Sequence, residues 1–347
     1  MGTGLIGGSI GMRLRRVGWY VTGRDSVPGR AETALALGAL DAVGDDPDAA
    51  ITFVATPVHA VAEQARRALA AGTGLVTDVG GVKASIVDAV SDPRFVGGHP
   101  MAGSEQEGVE GATAELFEGA TWVLTPTTGT DAAAYAQVRQ IVGTLGAEVV
   151  ALPPDRHDEL VAVVSHVPHL TAATLMRLAD ERSEEHRALL RLAAGGFRDM
   201  TRIASGHPGI WPDICSDNRT AIVEVLDELT TALQHMREVV AQDDRKELLA
   251  TLEQARAARV NLPARFRTAA DLREVRIPVP DRPGVVADVA ILAADLDVNI
   301  VDLEIAHSSE GLHGVLVMLI ESASVEVFRA GLVGRGYRPA VHPVDAG

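Results

Sequence analysis

The segment Gly2-Thr3-Gly4-Leu5-Ile6-Gly7 decides the fold of the first part of the chain, because it matches the glycine spacing GxGxxG. It leads directly into an apolar pattern of helical period over residues 10–17. Gly2 permits a tight turn, Gly4 lets the backbone approach a phosphate, and Gly7 allows close helix packing. Such a loop places a pyrophosphate on the amino end of a helix. The segment, Leu5 and Ile6 included, therefore predicts a dinucleotide site; a glycine-rich turn without a ligand is the alternative.

A carboxylate follows the glycine loop at the distance that a dinucleotide site needs. The strand-like run Trp19–Gly23 is followed by Arg24 and Asp25, about twenty residues after the loop. Asp25 would accept hydrogen bonds from the adenosine ribose hydroxyls, which favours NAD over NADP. Arg24 leaves that preference open, since an arginine can hold a 2′-phosphate or stack on adenine. A solvated turn is the alternative for both residues.

The pattern along the 347 residues divides the chain into three parts. Residues 1–151 alternate short β-like runs with helical patterns, which predicts a doubly wound α/β domain. Residues 152–266 carry helical spacing only, and their long amphipathic helix at Ile222–Val240 needs an apolar partner, for which a second copy of the chain is suitable. Residues 273–342 read as a βαββαβ unit.

Composition excludes several classes of protein. Apolar residues make up 47% and charged residues 22% of the chain, and no run approaches the roughly 18 uncharged apolar residues of a membrane span. The formal charge of −16, without a basic run, argues against nucleic-acid binding. Cys215 is the single cysteine, so an intrachain disulfide is impossible, and the first residues do not have the order of a signal peptide. We therefore expect a cytoplasmic protein.

Histidines supply the candidates for acid–base chemistry. His99 lies in the glycine-rich stretch Val96–Glu105, which we predict to be a loop at a strand end, and there it could act as a base or merely cap a turn. His166 and His169 flank Pro168 within a helical pattern, where proline should kink the helix and free a carbonyl. Their i, i+3 spacing differs from that of helical zinc motifs, and no cysteine assists, so we expect no metal.

Two arginines could bind an anionic substrate. Arg198 and Arg202 lie four residues apart in the segment Gly195–Ala204, so a helix would place them on one face. Their guanidinium groups can grip carboxylates through paired donors. A solvated face paired with acidic side chains is the alternative.

Six segments together resemble the prephenate/arogenate dehydrogenases, the enzymes of tyrosine biosynthesis, over nearly the whole chain. They follow the family's order: GTGLIGGS (2–9), ATP (55–57), TDVGGVK (77–83), GGHPMAGSE (97–105), SHVPH (165–169) and GGFRDMTRIA (195–204). The resemblance implies a Rossmann-like domain with Thr56 at the cofactor, and a helical dimerisation domain. It also implies that prephenate gives a hydride to NAD⁺ and loses its ring carboxylate as CO₂, which yields 4-hydroxyphenylpyruvate.

The same resemblance assigns roles to site residues. By this carry-over His99 takes the proton of the substrate's C4 hydroxyl, Arg202 grips a carboxylate, and His169 contacts the substrate side chain. Glu105 would gate the site or pair with its cations. The family often has serine where this chain has Gly81, so the hydrogen bond of that serine must be absent here or replaced by water.

The C-terminal unit resembles an ACT domain, which only some family members carry. Asp281, Gly284 and Asn299 lie where such domains often bind an amino acid between paired copies, so we expect an aromatic amino acid effector and a homodimer. A dimerisation module without a ligand is the alternative. An arogenate dehydrogenase, or a degenerate non-catalytic amino-acid sensor, remains an alternative for the whole chain. Hydroxy-acid dehydrogenases share the glycine loop but not the motifs at 97–105 and 195–204.

The start of the sequence carries a further expectation. In a dinucleotide-binding fold the glycine loop follows a central strand, yet only Met1 precedes Gly2. We therefore expect several apolar residues upstream and a misplaced start, with the first strand truncated. The alternatives are a sheet that closes over the gap and a nucleotide site that no longer works.

Overall fold

The computed structural model describes residues 1–103, 106, 108–183, 192–260, 272–280, 282–307 and 313–343. The residues form two compact units, 1–235 and 236–347. The expectations for Glu105 and Asp281 lie outside the described residues. The predicted boundary at 151/152 falls within the first unit, and the three-part division stays a prediction.

The described residues contain eleven strands and thirteen α-helices. The strands are β1 (Thr22–Gly23), β2 (Ala42–Val43), β3 (Ile51–Val54), β4 (Leu75–Asp78), β5 (Phe95–Pro100), β6 (Thr121–Thr125), β7 (Glu148–Ala151), β8 (Leu272–Pro280), β9 (Ile300–His307), β10 (His313–Glu321) and β11 (Ala340–Pro343). The helices are α1 (Leu5–Arg16), α2 (Arg30–Ala36), α3 (Val58–Ala71), α4 (Ala84–Ala89), α5 (Ala132–Thr144), α6 (Pro154–Val161), α7 (Val167–Ser183), α8 (Gly195–Thr201), α9 (Trp211–Asp217), α10 (Arg219–Ala241), α11 (Arg245–Val260), α12 (Val285–Asp295) and α13 (Val325–Gly334).

The first unit contains the predicted α/β domain. Its five-stranded sheet has the order β3-β4-β5-β6-β7, in which only the pairing of β5 with β6 is antiparallel. Strands β1 and β2 form a separate parallel pair. Beside the larger sheet, Phe53 meets Trp122 edge to face and Phe117 packs at a tilt against the same indole, within a hydrophobic core. The alternation of strands and helices from the sequence is confirmed.

One local prediction is wrong: His99 lies in strand β5 and not in a glycine-rich loop. The preceding glycines serve close packing inside the sheet, because a Cβ at Gly98 would lie 2.7 Å from the backbone oxygen of Asp78. The Gly98 N–H donates to the Asp78 carboxylate at 3.0 Å. Glycine at this position therefore reflects a tight contact within the sheet and not a turn.

Helices α6 and α7 are joined by a π-helical turn at Ala162–His166. The turn directly precedes Pro168, where the sequence predicted a kink, and such π turns are frequent at functional sites. The helical stretch Pro154–Arg182 is long and apolar enough, by length and composition, to cross a membrane. Within it, the His157, Asp158 and His166 side chains are buried and hydrogen-bonded, whereas Val163 and Val164 are exposed.

Helix α10 confirms the predicted amphipathic helix of the middle segment. Ile222 packs in a core with Ala162 and Val167 from the preceding helical stretch. Farther along the helix, Leu233 and Val240 remain 58% and 61% exposed. An apolar surface is thus available at that end of the helix.

The second unit contains the predicted βαββαβ motif. Its antiparallel sheet has the order β11-β8-β10-β9, and helices α12 and α13 pack against it around a hydrophobic core that includes Ile277, Met318 and Phe328. Alternate residues of the outer strand β9, Val301, Leu303 and Ile305, are exposed. Each predicted strand and helix of this segment is present.

Candidate active site

The glycine loop has the geometry of a phosphate cradle. Gly2 adopts a φ of +86°, and a Cβ on it would lie 2.3 Å from the Ala55 carbonyl oxygen. A Cβ on Gly7 would lie 2.0 Å from the Gly2 oxygen, whereas one on Gly4 would meet nothing within 4 Å. Helix α1 begins at Leu5, and no side chain of the described residues caps it. Its first N–H groups, that of Ile6 among them, are therefore available to an anion.

Asp25 lies beside this loop with its carboxylate held in place. Its Oδ2 accepts the Thr3 N–H at 2.8 Å, and its Oδ1 accepts the Val27 N–H at 2.9 Å. Burial opposes ionisation of the carboxyl, but these two backbone donors and the charge of Arg30 outweigh it, so the pKa of Asp25 is lowered. A fixed, ionised acceptor is what a ribose hydroxyl needs.

The Arg24 guanidinium pairs with side chains of the protein, whereas the sequence suggested that it holds a 2′-phosphate or stacks on adenine. Its Nη2 donates to Gln64 Oε1 at 3.0 Å, and its Nε lies 2.7 Å from Asp45 Oδ1. The guanidinium is thus tied to neighbours that a 2′-phosphate would have to displace.

Thr56 supplies an unused hydroxyl next to the glycine loop. It follows strand β3 directly after Ala55, whose carbonyl lies against Gly2. Its Oγ1 is buried and has no hydrogen-bond partner among the described residues. Because buried polar atoms are normally satisfied, this hydroxyl fits a bound group such as a dinucleotide.

His99 belongs to a hydrogen-bonded row of side chains at the carboxyl end of β5. His99 Nδ1 lies 2.8 Å from His157 Nε2, and His157 Nδ1 lies 2.7 Å from Asp158 Oδ1. The backbone N–H groups of Lys83 and Ala84 donate to the same carboxylate at 2.8 and 2.9 Å. The loop before α4 therefore fixes Asp158, which in turn fixes both imidazoles.

This row determines which nitrogen of His99 is free. A carboxylate with two backbone donors accepts a further proton donor, so His157 carries its proton on Nδ1 and accepts at Nε2. His99 then donates from Nδ1, and its Nε2 carries a lone pair. That nitrogen faces Gly81, where a Cβ would lie 3.8 Å away. The space beside Gly81 is thus the place where His99 can accept a proton.

The protonation state of His99 is the one that a proton acceptor needs. Burial first, and then the nearby His157, Lys83 and His166, hold the pKa of His99 well below its usual value. The imidazole is therefore neutral at physiological pH and ready to act as a base.

A buried ion pair supports the strand that carries His99. Lys83 Nζ pairs with the Asp78 carboxylate and donates to the Gly98 carbonyl at 2.8 Å, and both side chains are fully buried. Burial lowers the pKa of Lys83, while Asp78 opposes the shift. Loss of either partner would leave a buried charge unpaired, which is strongly unfavourable. The ion pair therefore stays formed and fixes the backbone of β5 next to His99.

His166 and His169 lie on opposite sides of Pro168, and both contact Trp211. The His169 ring stacks on Trp211 with 3.7 Å between centroids, and His166 meets the same indole edge on. Asn218 Nδ2 donates to the Asp158 carbonyl at 2.8 Å and lies 3.2 Å from His166 Nδ1. Burial lowers the pKa of His166 to about 4. These contacts connect both histidines to the row at His99.

The two candidate arginines lie on the segment that packs along α7. Arg198 is on α8, is exposed, and donates from Nε to the Ala193 carbonyl at 3.1 Å. Arg202 begins the 3₁₀ turn after α8, so the two residues do not share one continuous α-helix. The turn ends at Ser205, and a Cβ on the following Gly206 would lie 3.6 Å from His169. The segment of Arg202 thus adjoins His169, whereas Glu105 is outside the described residues.

Sequence reasoning missed His157, Asp158 and Lys83. His157 and Asp158 form no recognisable spacing with His99, which lies 58 residues earlier than His157. The available signal was local: a histidine and an aspartate in the first turns of a helix that begins at Pro154. Lys83 lies in the motif TDVGGVK (77–83), but a buried lysine cannot be told from a surface lysine by sequence alone.

Comparison with known families agrees with this geometry. Residues 10–151 match the family model of the prephenate dehydrogenase nucleotide-binding domain, and residues 153–254 match that of the prephenate dehydrogenase dimerization domain. The chain is 34% identical to prephenate dehydrogenase from Bacillus subtilis over 92% of this chain and 91% of that protein.

Solved structures give the same result. The prephenate dehydrogenase from A. aeolicus, in complex with hydroxyphenyl propionate and NAD⁺, is 31% identical with a TM-score of 0.71, over 76% of this chain and 96% of that one. An arogenate dehydrogenase from Synechocystis is 31% identical with a TM-score of 0.65, over 74% and 96%. The chain therefore belongs to the prephenate dehydrogenase family.

Proposed function

We propose that this protein is an NAD-dependent prephenate dehydrogenase that converts prephenate to 4-hydroxyphenylpyruvate and CO₂. The observation that carries the proposal is the row His99–His157–Asp158, which leaves His99 Nε2 as a neutral acceptor. His99 lies at the carboxyl end of β5, and the glycine loop and Thr56 lie at the same end of the parallel strand β3. Ligands of α/β sheets bind at that edge, so base and cofactor would face one substrate.

The residues of the glycine loop, with Thr56 and Asp25, would hold NAD⁺, which supplies the hydride acceptor for the C4 hydrogen of prephenate. His99 Nε2 accepts the proton of the C4 hydroxyl as that hydroxyl becomes a carbonyl. His157 and Asp158 stabilise the imidazolium that forms. The ring carboxylate leaves as CO₂, its bonding electrons make the ring aromatic, and His99 returns the proton to the phenolate oxygen. Protons and electrons balance over the step, and aromatisation drives it.

Cations must hold the two substrate carboxylates against the chain's negative charge. Arg202 and Arg198 are the arginines that we assign to this task, because their segment adjoins His169. His169, stacked on Trp211, contacts the substrate side chain. Glu105 would gate the site or pair with these cations.

We propose NAD⁺ and not NADP⁺ as the cofactor. The support is the fixed, ionised carboxylate of Asp25, which would repel a 2′-phosphate. The pairing of Arg24 with Asp45 further reduces the cation available to such a phosphate.

Arogenate is the second candidate substrate, since a solved arogenate dehydrogenase has the same 31% identity to this chain as the prephenate dehydrogenase from A. aeolicus. The two substrates differ in a keto or amino group on the side chain. One assay separates them: NADH or NADPH formation, measured with prephenate and with arogenate, each with NAD⁺ and NADP⁺. We expect prephenate with NAD⁺ to give the highest kcat/KM. No turnover in all four combinations would reject the enzyme and favour a non-catalytic amino-acid sensor.

We further propose that residues 273–342 form an ACT domain that binds an aromatic amino acid, and that the protein is a cytoplasmic homodimer. The sheet order and the two covering helices support the domain assignment. Gly284, with a φ of +94°, is the N-cap residue of α12, and Asn299 precedes β9. The exposed apolar residues of β9 and of α10 supply surfaces for a second copy.

A further inference from the structure

Helix α9 is hydrogen-bonded near both of its ends to helices that follow the parallel strands. In its first turn, Asp213 Oδ2 lies 2.6 Å from Nδ1 of His59, the second residue of α3. At its last residue, Asp217 Oδ2 accepts the hydroxyl of Ser85 on α4 at 3.4 Å. Helices α3 and α4 lie in the range that matches the nucleotide-binding domain, whereas α9 lies in the range that matches the dimerization domain. The two bonds therefore connect the two parts of the family fold.

Helix α9 also carries two side chains of the candidate active site. Trp211, its first residue, stacks on His169, the residue that we assign to the substrate side chain. Ile214 Cδ1 lies 4.0 Å from the position of a Cβ on Gly81, so Ile214 borders the space that His99 Nε2 faces. A shift of α9 would therefore move two walls of the proposed substrate space at once.

The other partner of the bond lies next to the segment that we assign to the cofactor. His59 follows Thr56 by three residues, and the Thr56 hydroxyl is buried without a hydrogen-bond partner among the described residues. Val58, the first residue of α3, belongs to the same hydrophobic cluster as Ile214. The start of α3 thus meets α9 through apolar packing and through the bond between His59 and Asp213.

The exposure of this pair shows what it can and cannot do. The His59 side chain is 67% exposed and the Asp213 side chain 35% exposed. Pairs in such surroundings contribute little to the stability of a fold, because water competes for both groups. Apolar packing holds α9 in place but is not directional, whereas a hydrogen bond of 2.6 Å requires one relative position of the two helices. The pair is therefore suited to selecting the position of α9 and not to holding the fold together.

We propose that His59 and Asp213 are positioning residues that couple the cofactor site to the substrate site. NAD⁺ bound at the Thr56 hydroxyl fixes the start of α3, and the bond then favours the α9 position in which that helix borders the substrate. The coupling is reciprocal, so substrate raises the affinity for NAD⁺ by the same factor. The inference rests on the proposed function, because it takes the space beside Gly81 as the substrate site. Both residues act through α9 and not on the reacting atoms.

The test measures the Kd of hydroxyphenyl propionate, the compound in the A. aeolicus complex, by calorimetry with and without saturating NAD⁺. In the wild type we expect NAD⁺ to lower this Kd by about fivefold or more. In His59→Ala, in Asp213→Ala and in the double variant, the effect of NAD⁺ should fall below about twofold. The three losses should be equal, because the two residues act as one pair. Tm and the Kd for NAD⁺ alone should stay at their wild-type values.

Two further variants separate the bond from a general effect of mutation. His59→Asn keeps an N–H donor close to the position of Nδ1, so it should restore the coupling that the alanine variant loses. Glu63→Ala lies on the same helix and removes a surface pair with Arg67, so it serves as the matched control with wild-type coupling.

Wild-type coupling in either alanine variant would overturn the proposal. So would a wild type in which NAD⁺ leaves the Kd of hydroxyphenyl propionate unchanged, an asparagine variant that behaves like the alanine variant, or a loss of coupling in the Glu63 control. These outcomes leave the proposed function standing, since the wild type still binds both compounds. A wild type that binds no hydroxyphenyl propionate, with or without NAD⁺, would instead reject the proposed function and this inference together.

Discussion

At the scale of single residues, the row behind His99 makes the most direct claim. His157→Gln removes the imidazole Nδ1–H that donates to Asp158, and so breaks the link to the carboxylate that fixes the His99 tautomer and stabilises its protonated form. We expect kcat to fall by a factor of about 10² to 10⁴, the usual contribution of general-base catalysis, with KM little changed. Steady-state kinetics over a range of pH measure this, with the exposed His342→Gln in the second unit as the control. A KM effect alone would assign His157 to substrate binding.

Gly81 offers a test of the space beside His99 Nε2. A Cβ there meets nothing closer than 3.8 Å, so Gly81→Ala should fold with an unchanged Tm. Gly81→Ser adds a hydroxyl within reach of His99 and of the substrate oxygen, and we expect it to raise kcat/KM above that of the alanine variant. If serine and alanine give the same kcat/KM, the space beside Gly81 is not where the substrate hydroxyl lies.

Arg202 is expected to bind a substrate carboxylate. Arg202→Ala should lower kcat/KM by the equivalent of about 2–5 kcal/mol, because it leaves a desolvated carboxylate without its partner. The Kd for NAD⁺ should stay the same. Arg177→Ala, which removes a surface arginine paired with Glu181, is the control. Equal kcat/KM in the wild type and the Arg202 variant would remove this residue from the site.

The sequence could identify those site residues that lie within contiguous motifs, such as His99, Asp25 and the glycine loop. It could not identify His157 or Asp158, because their contact with His99 depends on how α6 packs against the sheet. Nor could it show that Lys83 is buried, since only the fold places Asp78 and the Gly98 carbonyl around its ammonium.

At the scale of elements, His166 in the π turn before α7 makes the free energy of unfolding depend on pH. The pKa of His166 is lowered to about 4 in the folded protein, against about 6.5 when unfolded. The unfolded chain therefore binds more protons between these values, and the stability is complete above about pH 6.5 and is lost as pH falls toward 4. His166 accounts for at most about 3 kcal/mol of this loss.

Urea unfolding at several pH values measures the effect. His166→Gln should flatten the pH dependence of the free energy of unfolding in this window. An unaltered slope in the His166 variant would show that other groups cause the acid loss.

The prediction of helices and strands from the sequence was most accurate where the apolar periodicity was strong. The βαββαβ order and helix α10 follow from apolar alternation and from i, i+3 and i+4 spacing. Strand β5 was the exception, because Gly97, Gly98 and Pro100 are typical of loops. The tertiary contacts of Gly98 with Asp78 override that local preference.

At the scale of the whole molecule, the C-terminal unit is expected to bind an aromatic end product, tyrosine. We expect isothermal titration calorimetry to show tyrosine binding to the full chain, and Asn299→Ala to weaken that binding. Tyrosine should also change the affinity for prephenate, and by reciprocity prephenate should change the affinity for tyrosine. Absence of heat with both tyrosine and phenylalanine would leave only a dimerisation role for this unit.

The pH dependence of kcat/KM for prephenate oxidation, in the wild type and in His99→Asn, tests the central claim most directly. Because the base must be neutral and its pKa is lowered, wild-type activity should persist below about pH 6.5 before it falls. His99→Asn keeps a hydrogen-bonding group but no base, so its kcat/KM should drop about 10² to 10⁴-fold and lose the acid limb. Wild-type turnover by His99→Asn across the pH range would contradict the account.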